Sequence, residues 1–231
     1  MPDTKPLVSG DELHLWFVAL DVDGRVLDEL DRELSADERE TAGRFVYPRD
    51  RRRSTVARAS LRRVLAGYLD VAPADVPLTR AESGKPELRE AAGVHFNLSH
   101  SGETAVIAVA HSPVGVDAER VRPDLSPADL ARTALTERER SLLADLPEGD
   151  RRRVFFEVWT LKEAYVKATG AGIGAFETFD VWPGRSVHDG LRPAAVGPEG
   201  WYLANVEPAD ELVVAVALQH APARVRRSEV A

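Results

Sequence analysis

Between Glu12 and Leu20, His14, Trp16 and Val18 alternate with Leu13, Leu15 and Phe17, which predicts a core strand running into a turn at Asp23-Gly24. Ser35 and Glu38, three apart, have the form of a capping box and predict a short helix towards Arg44. From about Asp50 to Leu69 the apolar residues Val56, Leu61, Val64, Leu65 and Tyr68 fall at helical spacing. Thr104 to Ala110 and Val114 to Glu119 are apolar runs split by Ser112-Pro113, and are expected to pair as a hairpin. After Pro123 the pattern predicts helices at Ser126 to Ala134, Thr136 to Asp145 and about Asp150 to Thr169, the second opened by Thr136 and Glu139 and the third closed by Gly170 and Gly172. Strands are predicted near Phe179 to Trp182, Trp201 to Val206 and Leu212 to Leu218. The charged tail from Pro222 is expected to fray. This order predicts an α+β fold of two similar halves, 1–112 and 113–231, without a repeated sequence motif.

Composition narrows the function. The 231 residues are 44% hydrophobic and 29% charged, enough for a full core. A net charge of -8 argues against general nucleic-acid binding, although arginines concentrate between Arg44 and Arg63. No cysteine is present, which excludes disulfides, thiolate nucleophiles and cysteine-ligated zinc, so a metal must use oxygen or imidazole. Met1-Pro2-Asp3-Thr4-Lys5 lacks a signal-peptide layout, and runs such as Leu212 to Leu218 are too short to span a bilayer. The expectation is a soluble cytoplasmic protein with no membrane partner.

Asp117 and Glu119, two apart on a strand, project from the same face. Such a pair usually faces solvent, but with Glu163 it makes a candidate site for a hard cation such as Mg²⁺. Glu163 and Lys167 lie four apart on one helix, where an ordinary ion pair is the simpler reading. His100, and Ser99 from a turn, are candidate donors to a phosphate oxygen. A Ser-His-Asp hydrolase using Ser99 or Ser101 is formally possible, but no Gly-x-Ser-x-Gly elbow surrounds either serine. Phe155, Phe156, Trp159 and Tyr165 read as core, and His95 as structural.

Taken together, Gly84-Lys85-Pro86, His95 to Ser101, Gly115 to Glu119 and Trp159 to Lys167 stand in the order and approximate spacing of an Sfp-type 4'-phosphopantetheinyl transferase, which the chain resembles from about Arg44 to its last strands. The resemblance implies two halves related by a pseudo-two-fold, the first binding the coenzyme A nucleotide and the second holding the metal and docking the carrier. It implies transfer of phosphopantetheine from coenzyme A to a serine of an acyl or peptidyl carrier protein, releasing adenosine 3',5'-bisphosphate. Asp117, Glu119 and Glu163 are the expected Mg²⁺ ligands. Glu163, Lys167 and His100 are expected to act in the reaction, with Glu163 the first choice of base and a metal-bound water activated by Glu119 the second. Lys167 is expected at the pyrophosphate, and Lys85, Pro86, Ser99, His100 and the more peripheral Lys162 around coenzyme A. The family prototype carries lysines for the 3'-phosphate just before the pair matched by Arg44-Phe45; here an ungapped match puts Glu38 and Thr41 there, so Arg44, Arg52 and Arg53 are the candidates for that charge.

A carrier with an acidic surface is expected to dock on Arg120 to Leu143 through Arg122, Arg132, Arg138 and Arg140. Two halves in one chain suggest a monomer. The rival readings are a non-catalytic binder of coenzyme A or of a carrier, which needs no cluster of three carboxylates, and a metal-dependent phosphohydrolase.

Overall fold

The computed structural model describes residues 10–80, 84–89, 93–207 and 211–230; the Met1–Lys5 start lies outside them. Strand β1 (Glu12–Ala19) forms as the alternation predicts and buries Leu13, Leu15 and Val18. His14 is also buried, its ring satisfied by the Tyr68 hydroxyl at 2.6 Å. Helix α1 (Gly24–Glu33) follows where a turn is predicted. Asp23 is its N-cap: the carboxylate accepts from the Val26 N–H, and Leu30 and Leu34 anchor the helix in the core.

Helix α2 (Ala36–Gly43) starts at the expected capping box, with both reciprocal bonds formed. Helix α3 (Pro48–Leu69) opens on proline, whose missing N–H costs nothing in a first turn, and buries Val56, Leu61, Val64 and Leu65. Several of its arginines hold the fold together. Arg62 is buried against Glu38 and the carbonyls of Pro73 and Ala74, and Arg63 grips Glu33. A small hairpin, β2 (Leu78–Arg80) with β3 (Pro86–Leu88), leads to a larger one, β4 (His95–Ser101) with β5 (Thr104–Ala110).

The second half starts with β6 (Val114–Arg120) and continues through α4 (Pro127–Ala134), α5 (Glu137–Ala144) and α6 (Glu148–Thr169). Thr136 and Glu139 close the second capping box, and Gly170, at φ +78°, takes the left-handed position that ends α6. A 3-10 segment, Ile173–Thr178, precedes β7 (Trp182–Pro183), β8 (Leu191–Val196), β9 (Tyr202–Val206), β10 (Leu212–Leu218) and β11 (Arg224–Val230). One sheet runs β11-β1-β5-β4 and the other β6-β10-β9-β8-β7. The antiparallel order β1-β5-β4 recurs as β6-β10-β9, each with a 22-residue helix, α3 or α6, between its first and second strands. The α+β fold is thus one topology used twice.

Besides α1, three expectations change. Thr104 to Ala110 and Val114 to Glu119 do not form a hairpin, because both edges of β5 are taken, by β1 and β4, and β6 opens the other sheet. The tail does not fray: β11 pairs in parallel with β1, and Arg226 reaches Glu12 at 3.1 Å. Its exposed side chains hide an edge docking made by backbone groups. Strand β8, absent from the sequence reading, contains Pro193, which argues against a strand on pattern alone.

Gly115 sets how closely β6 approaches α6. A Cβ there would stand 1.9 Å from the Ala164 carbonyl oxygen and 2.7 Å from the Ala168 nitrogen. Gly115→Ala must therefore push the strand and helix apart. The expected cost is about 1–3 kcal/mol of stability, read by denaturant titration, with activity falling further because both elements carry the site. A variant as stable and active as the parent contradicts this packing.

Candidate active site

The two sheets meet where β4 faces the outer edge of β6, and side chains replace a backbone ladder along this seam. Asn97 Oδ1, Ser99 Oγ and Ser101 Oγ, spaced by two on β4, accept from the backbone N–H groups of Val116 (2.8 Å), Ala118 (3.2 Å) and Arg120 (3.0 Å), spaced by two on β6. The equal period of two lets one strand's side chains satisfy the other's edge donors. The serine hydroxyls then donate onward, Ser99 to Asp117 Oδ1 and Ser101 to Glu119 Oε2, both at 2.9 Å. Ser99 therefore lies within a strand and not in a turn. With the hydroxyl protons of Ser99 and Ser101 held by carboxylates, neither is presented as a nucleophile, which disfavours the hydrolase reading.

Asp117 is buried, and Lys167 of α6 donates to its Oδ1 at 2.6 Å and to Ser99 Oγ at 3.1 Å. Lys167 thus pairs with Asp117 of β6 and not with Glu163 on its own helix. Asp117 Oδ2 is buried with no hydrogen-bond partner. Burial, and then the Asp117 charge, push Glu119 and Glu163 above the ordinary value of 4.5. Lys167 pulls both back, and the Ser101 hydroxyl and Arg122 also pull on Glu119. The three carboxylates therefore sense one another from β6 and α6. Among the described residues no three histidine or carboxylate groups form a ready-made cation site. The expected triad is not a preformed cage, because the Lys167 ammonium already sits on Asp117.

Lys85, half-buried after Gly84 (φ +82°), donates to the Lys167 carbonyl at 2.7 Å, so it meets the C-terminal end of α6. Lys85, Pro86 and His95 line a cavity of about 220 Å³. His100 lies at the exposed edge of β4; the protein around it, then Lys167 and Arg53, lower its pKa. These residues border the seam.

The arginines stand further out. Arg53 makes a two-pronged pair with Asp21, both contacts at 3.0 Å, and lies 3.4 Å from Glu103. Arg52 donates to the Val22 carbonyl, and Arg44 pairs with Glu40 at 2.7 Å. Lys162 requires a correction. It is fully buried, donating to the carbonyls of Phe176 and Phe179 and pairing with Glu139 at 3.0 Å, so it braces the 3-10 segment and cannot reach a ligand. Spacing alone could not separate it from Lys167, since both are lysines on α6. Phe155, Phe156, Trp159 and Tyr165 pack edge-on or tilted among themselves and against Phe176, Phe179 and Trp201, as expected of core aromatics.

Sequence reasoning gave Asn97 no role and weighed Ser101 only as a hydrolase nucleophile, so it missed the seam that both residues form. Their signal is the polar alternation Asn97, Ser99, Ser101 in a strand that would otherwise alternate simply between core and solvent.

A family model described as the 4'-phosphopantetheinyl transferase superfamily matches residues 113–213, and one described as the N-terminal part of 4'-phosphopantetheinyl transferase matches residues 26–112. The 4'-phosphopantetheinyl transferase HetI of Nostoc sp. is 39% identical over 212 residues, covering 90% of this chain and 88% of that protein. The chain belongs to the 4'-phosphopantetheinyl transferase family. A 4'-phosphopantetheinyl transferase of Bacillus subtilis is 28% identical over 196 residues, covering 84% of this chain and 85% of that protein. Sfp of the same species is 27% identical over 140 residues, covering 61% and 62%. In this transferase the seam joins the two matched segments, since β4 lies in one and β6 in the other.

The crowding of carboxylates has a measurable sign. A carboxyl whose pKa is raised on folding favours the fold at low pH and loses that contribution as pH rises through the folded value. Glu163→Gln removes one crowded charge, so in divalent-free buffer it is expected to melt above the wild type at pH 8. The gap should close as pH falls below about 4.5, where the carboxyl is protonated folded or unfolded. Thermal melts across that range check it; a variant no more stable than the wild type at pH 8 contradicts the crowding.

Proposed function

We propose that this chain transfers the 4'-phosphopantetheine group of coenzyme A to a serine of an acyl or peptidyl carrier protein, releasing adenosine 3',5'-bisphosphate. The observation that carries the reading is the buried Ser99–Asp117–Lys167 cluster at the seam, in a chain of this family. Breaking a pyrophosphate calls for charge neutralisation and a positioned nucleophile more than for covalent work by the protein. The seam offers positive charge in Lys167 and carboxylates held in place by hydroxyl donors.

In the proposed step the carrier serine Oγ attacks the phosphorus that bears the pantetheine. A new P–O bond forms while the bond to the bridging oxygen breaks, and that oxygen leaves with its electron pair on adenosine 3',5'-bisphosphate. The serine proton passes to a carboxylate, for which Glu163 is our assignment, because it stands on α6 four residues from Lys167 at the same site. Lys167 exchanges Asp117 for the pyrophosphate, and His100 donates to a phosphate oxygen. Lys85 and Pro86 hold the nucleotide end, where Arg44, Arg52 and Arg53 supply charge. We assign residues 1–112 to the nucleotide side and 113–231 to metal and carrier.

The residues present fit a divalent cation, assigned as Mg²⁺. Asp117 Oδ2 is a buried acceptor with no donor, and Glu119 and Glu163 are destabilised as anions by their surroundings. Asp117, Glu119 and Glu163 would hold the ion, which when bound neutralises charge on the phosphates. Among the described residues no helix is long and apolar enough to cross a membrane. The site is built within one chain, which supports a monomer, and we assign the reaction to the cytoplasm.

Intact-mass analysis of an apo carrier incubated with the protein, coenzyme A and Mg²⁺ should show one phosphopantetheine added; an unmodified carrier, or phosphate released without transfer, contradicts the proposal. Asp117→Asn should fold, lose at least about a hundredfold in kcat, and lose the rise in Tm that Mg²⁺ gives the wild type. An unchanged Mg²⁺ shift removes Asp117 from the metal site. Arg53→Ala should raise KM for coenzyme A more than for its 3'-dephospho form; equal effects mean that Arg53 only secures Asp21.

A further inference from the structure

Strand β6 and helix α6 run against each other in opposite directions. Gly115 meets Ala164 and Ala168, Asp117 meets Lys167, and the chain just beyond Glu119 arrives at the start of α6. There Arg120, Arg122, Arg152 and Arg153 line an open cleft of about 600 Å³ in which Glu211 is the one acidic wall residue among the described residues. In a chain of net charge -8 this is a local inversion of sign.

The four arginines are not equivalent. Arg122 holds Asp124 at 2.8 Å, Arg120 lies 3.5 Å from the exposed Glu211, and Arg153 donates to Glu157 at 3.2 Å. Arg152 makes no hydrogen bond or ion pair among the described residues, and its Nε is buried without a partner. It also lines a second cleft, beside Ser126, Glu148 and Arg151, so its guanidinium stands between two openings. A buried guanidinium N–H left unpaired is costly, and an acceptor from outside would relieve it. Of the arginines expected from sequence to dock a carrier, Arg122 lines this cleft, whereas the other three are committed elsewhere: Arg132 pairs with Asp129, Arg138 with Asp180, and Arg140 caps the Leu135 carbonyl.

Position along α6 decides what the cleft serves. Arg152 and Glu163 are about three helical turns apart, which places them on one face at a separation of roughly 16 Å. The far end of α6 is the one met by Lys85, on the side assigned to coenzyme A. Helix α6 therefore has a nucleotide end, a carboxylate in its middle, and an arginine cleft at the opposite end, where the second substrate must enter. Arg120 and Arg122 stand one and three residues beyond Glu119, where the chain leaves β6, so the cleft opens beside the reacting groups.

Building on the transfer reaction above, we infer that the cleft of Arg120, Arg122, Arg152 and Arg153 is the docking surface for the protein substrate, and that Arg152 takes a carboxylate of that substrate roughly 16 Å from its reacting serine. Arg152 is a specificity residue that touches the partner and takes no part in the chemistry.

The test is steady-state kinetics of Arg152→Glu and Arg152→Gln with an apo acyl carrier protein, varying carrier and coenzyme A separately. Arg152→Glu should raise KM for the carrier at least tenfold, Arg152→Gln by less, with KM for coenzyme A and kcat at saturating carrier within about twofold of the wild type. Changing to lysine the carrier acid about 16 Å from the serine should restore part of the loss with Arg152→Glu. If the wild type transfers and the carrier KM of both variants stays within twofold, the docking assignment fails while the reaction stands. A rise confined to the coenzyme A KM assigns the cleft to phosphate and overturns the inference. Circular dichroism and melting identify a misfolded Arg152→Glu, in which case Arg152→Gln decides. A wild type that transfers nothing refutes the reaction itself.

Discussion

The row of hydrogen bonds from Asn97, Ser99 and Ser101 to the edge of β6 is the constraint on which the rest depends. A strand edge with unpaired N–H groups must be covered, and this chain covers it with side chains from the other half. A backbone ladder would have satisfied the same N–H groups, but it would have left no hydroxyl proton to aim at a carboxylate. The same three positions join the sheets and orient Asp117 and Glu119, so an error in register at the seam would disturb stability and site together.

Around this row, burial and charge are balanced. Asp117 is held inside by Ser99 and Lys167, with its second oxygen unsatisfied, while Glu119 and Glu163 resist ionisation in the space nearby. Such an arrangement is poor for stability in isolation, where a buried charge repays its desolvation only with well-placed partners. It suits a site that must accept a highly charged substrate and exchange its internal lysine for phosphate contacts. Lys162, by contrast, is buried and fully engaged with Glu139 and two carbonyls, as a bracing residue should be.

Much of this was legible in the sequence where a local pattern has a local cause. The two capping boxes, the strand from Glu12, the long helices and the core aromatics follow from short-range hydrogen bonding and periodic burial. Strand spacing singled out Asp117 and Glu119 with Glu163 as a third carboxylate, and the resemblance to the transferase family added Lys167 to the same site. What stayed hidden depends on distant chain segments. Strand β11 docks through backbone pairing with β1 and through contacts to distant residues such as Arg226 to Glu12, β5 and β6 separate because other strands claim the edges of β5, and Lys162 and Lys167 differ only in what packs against each face of α6. Arg53 looked like a free cation because Asp21, its partner, is 32 residues away.

The most direct test of the account is a crystal structure of the protein with coenzyme A and Mg²⁺. The account predicts that the ion binds Asp117 and that the Lys167 ammonium has moved from Asp117 to the pyrophosphate, while Asn97, Ser99 and Ser101 keep their bonds to β6. A complex in which Lys167 still pairs with Asp117 and coenzyme A lies away from the seam would contradict it.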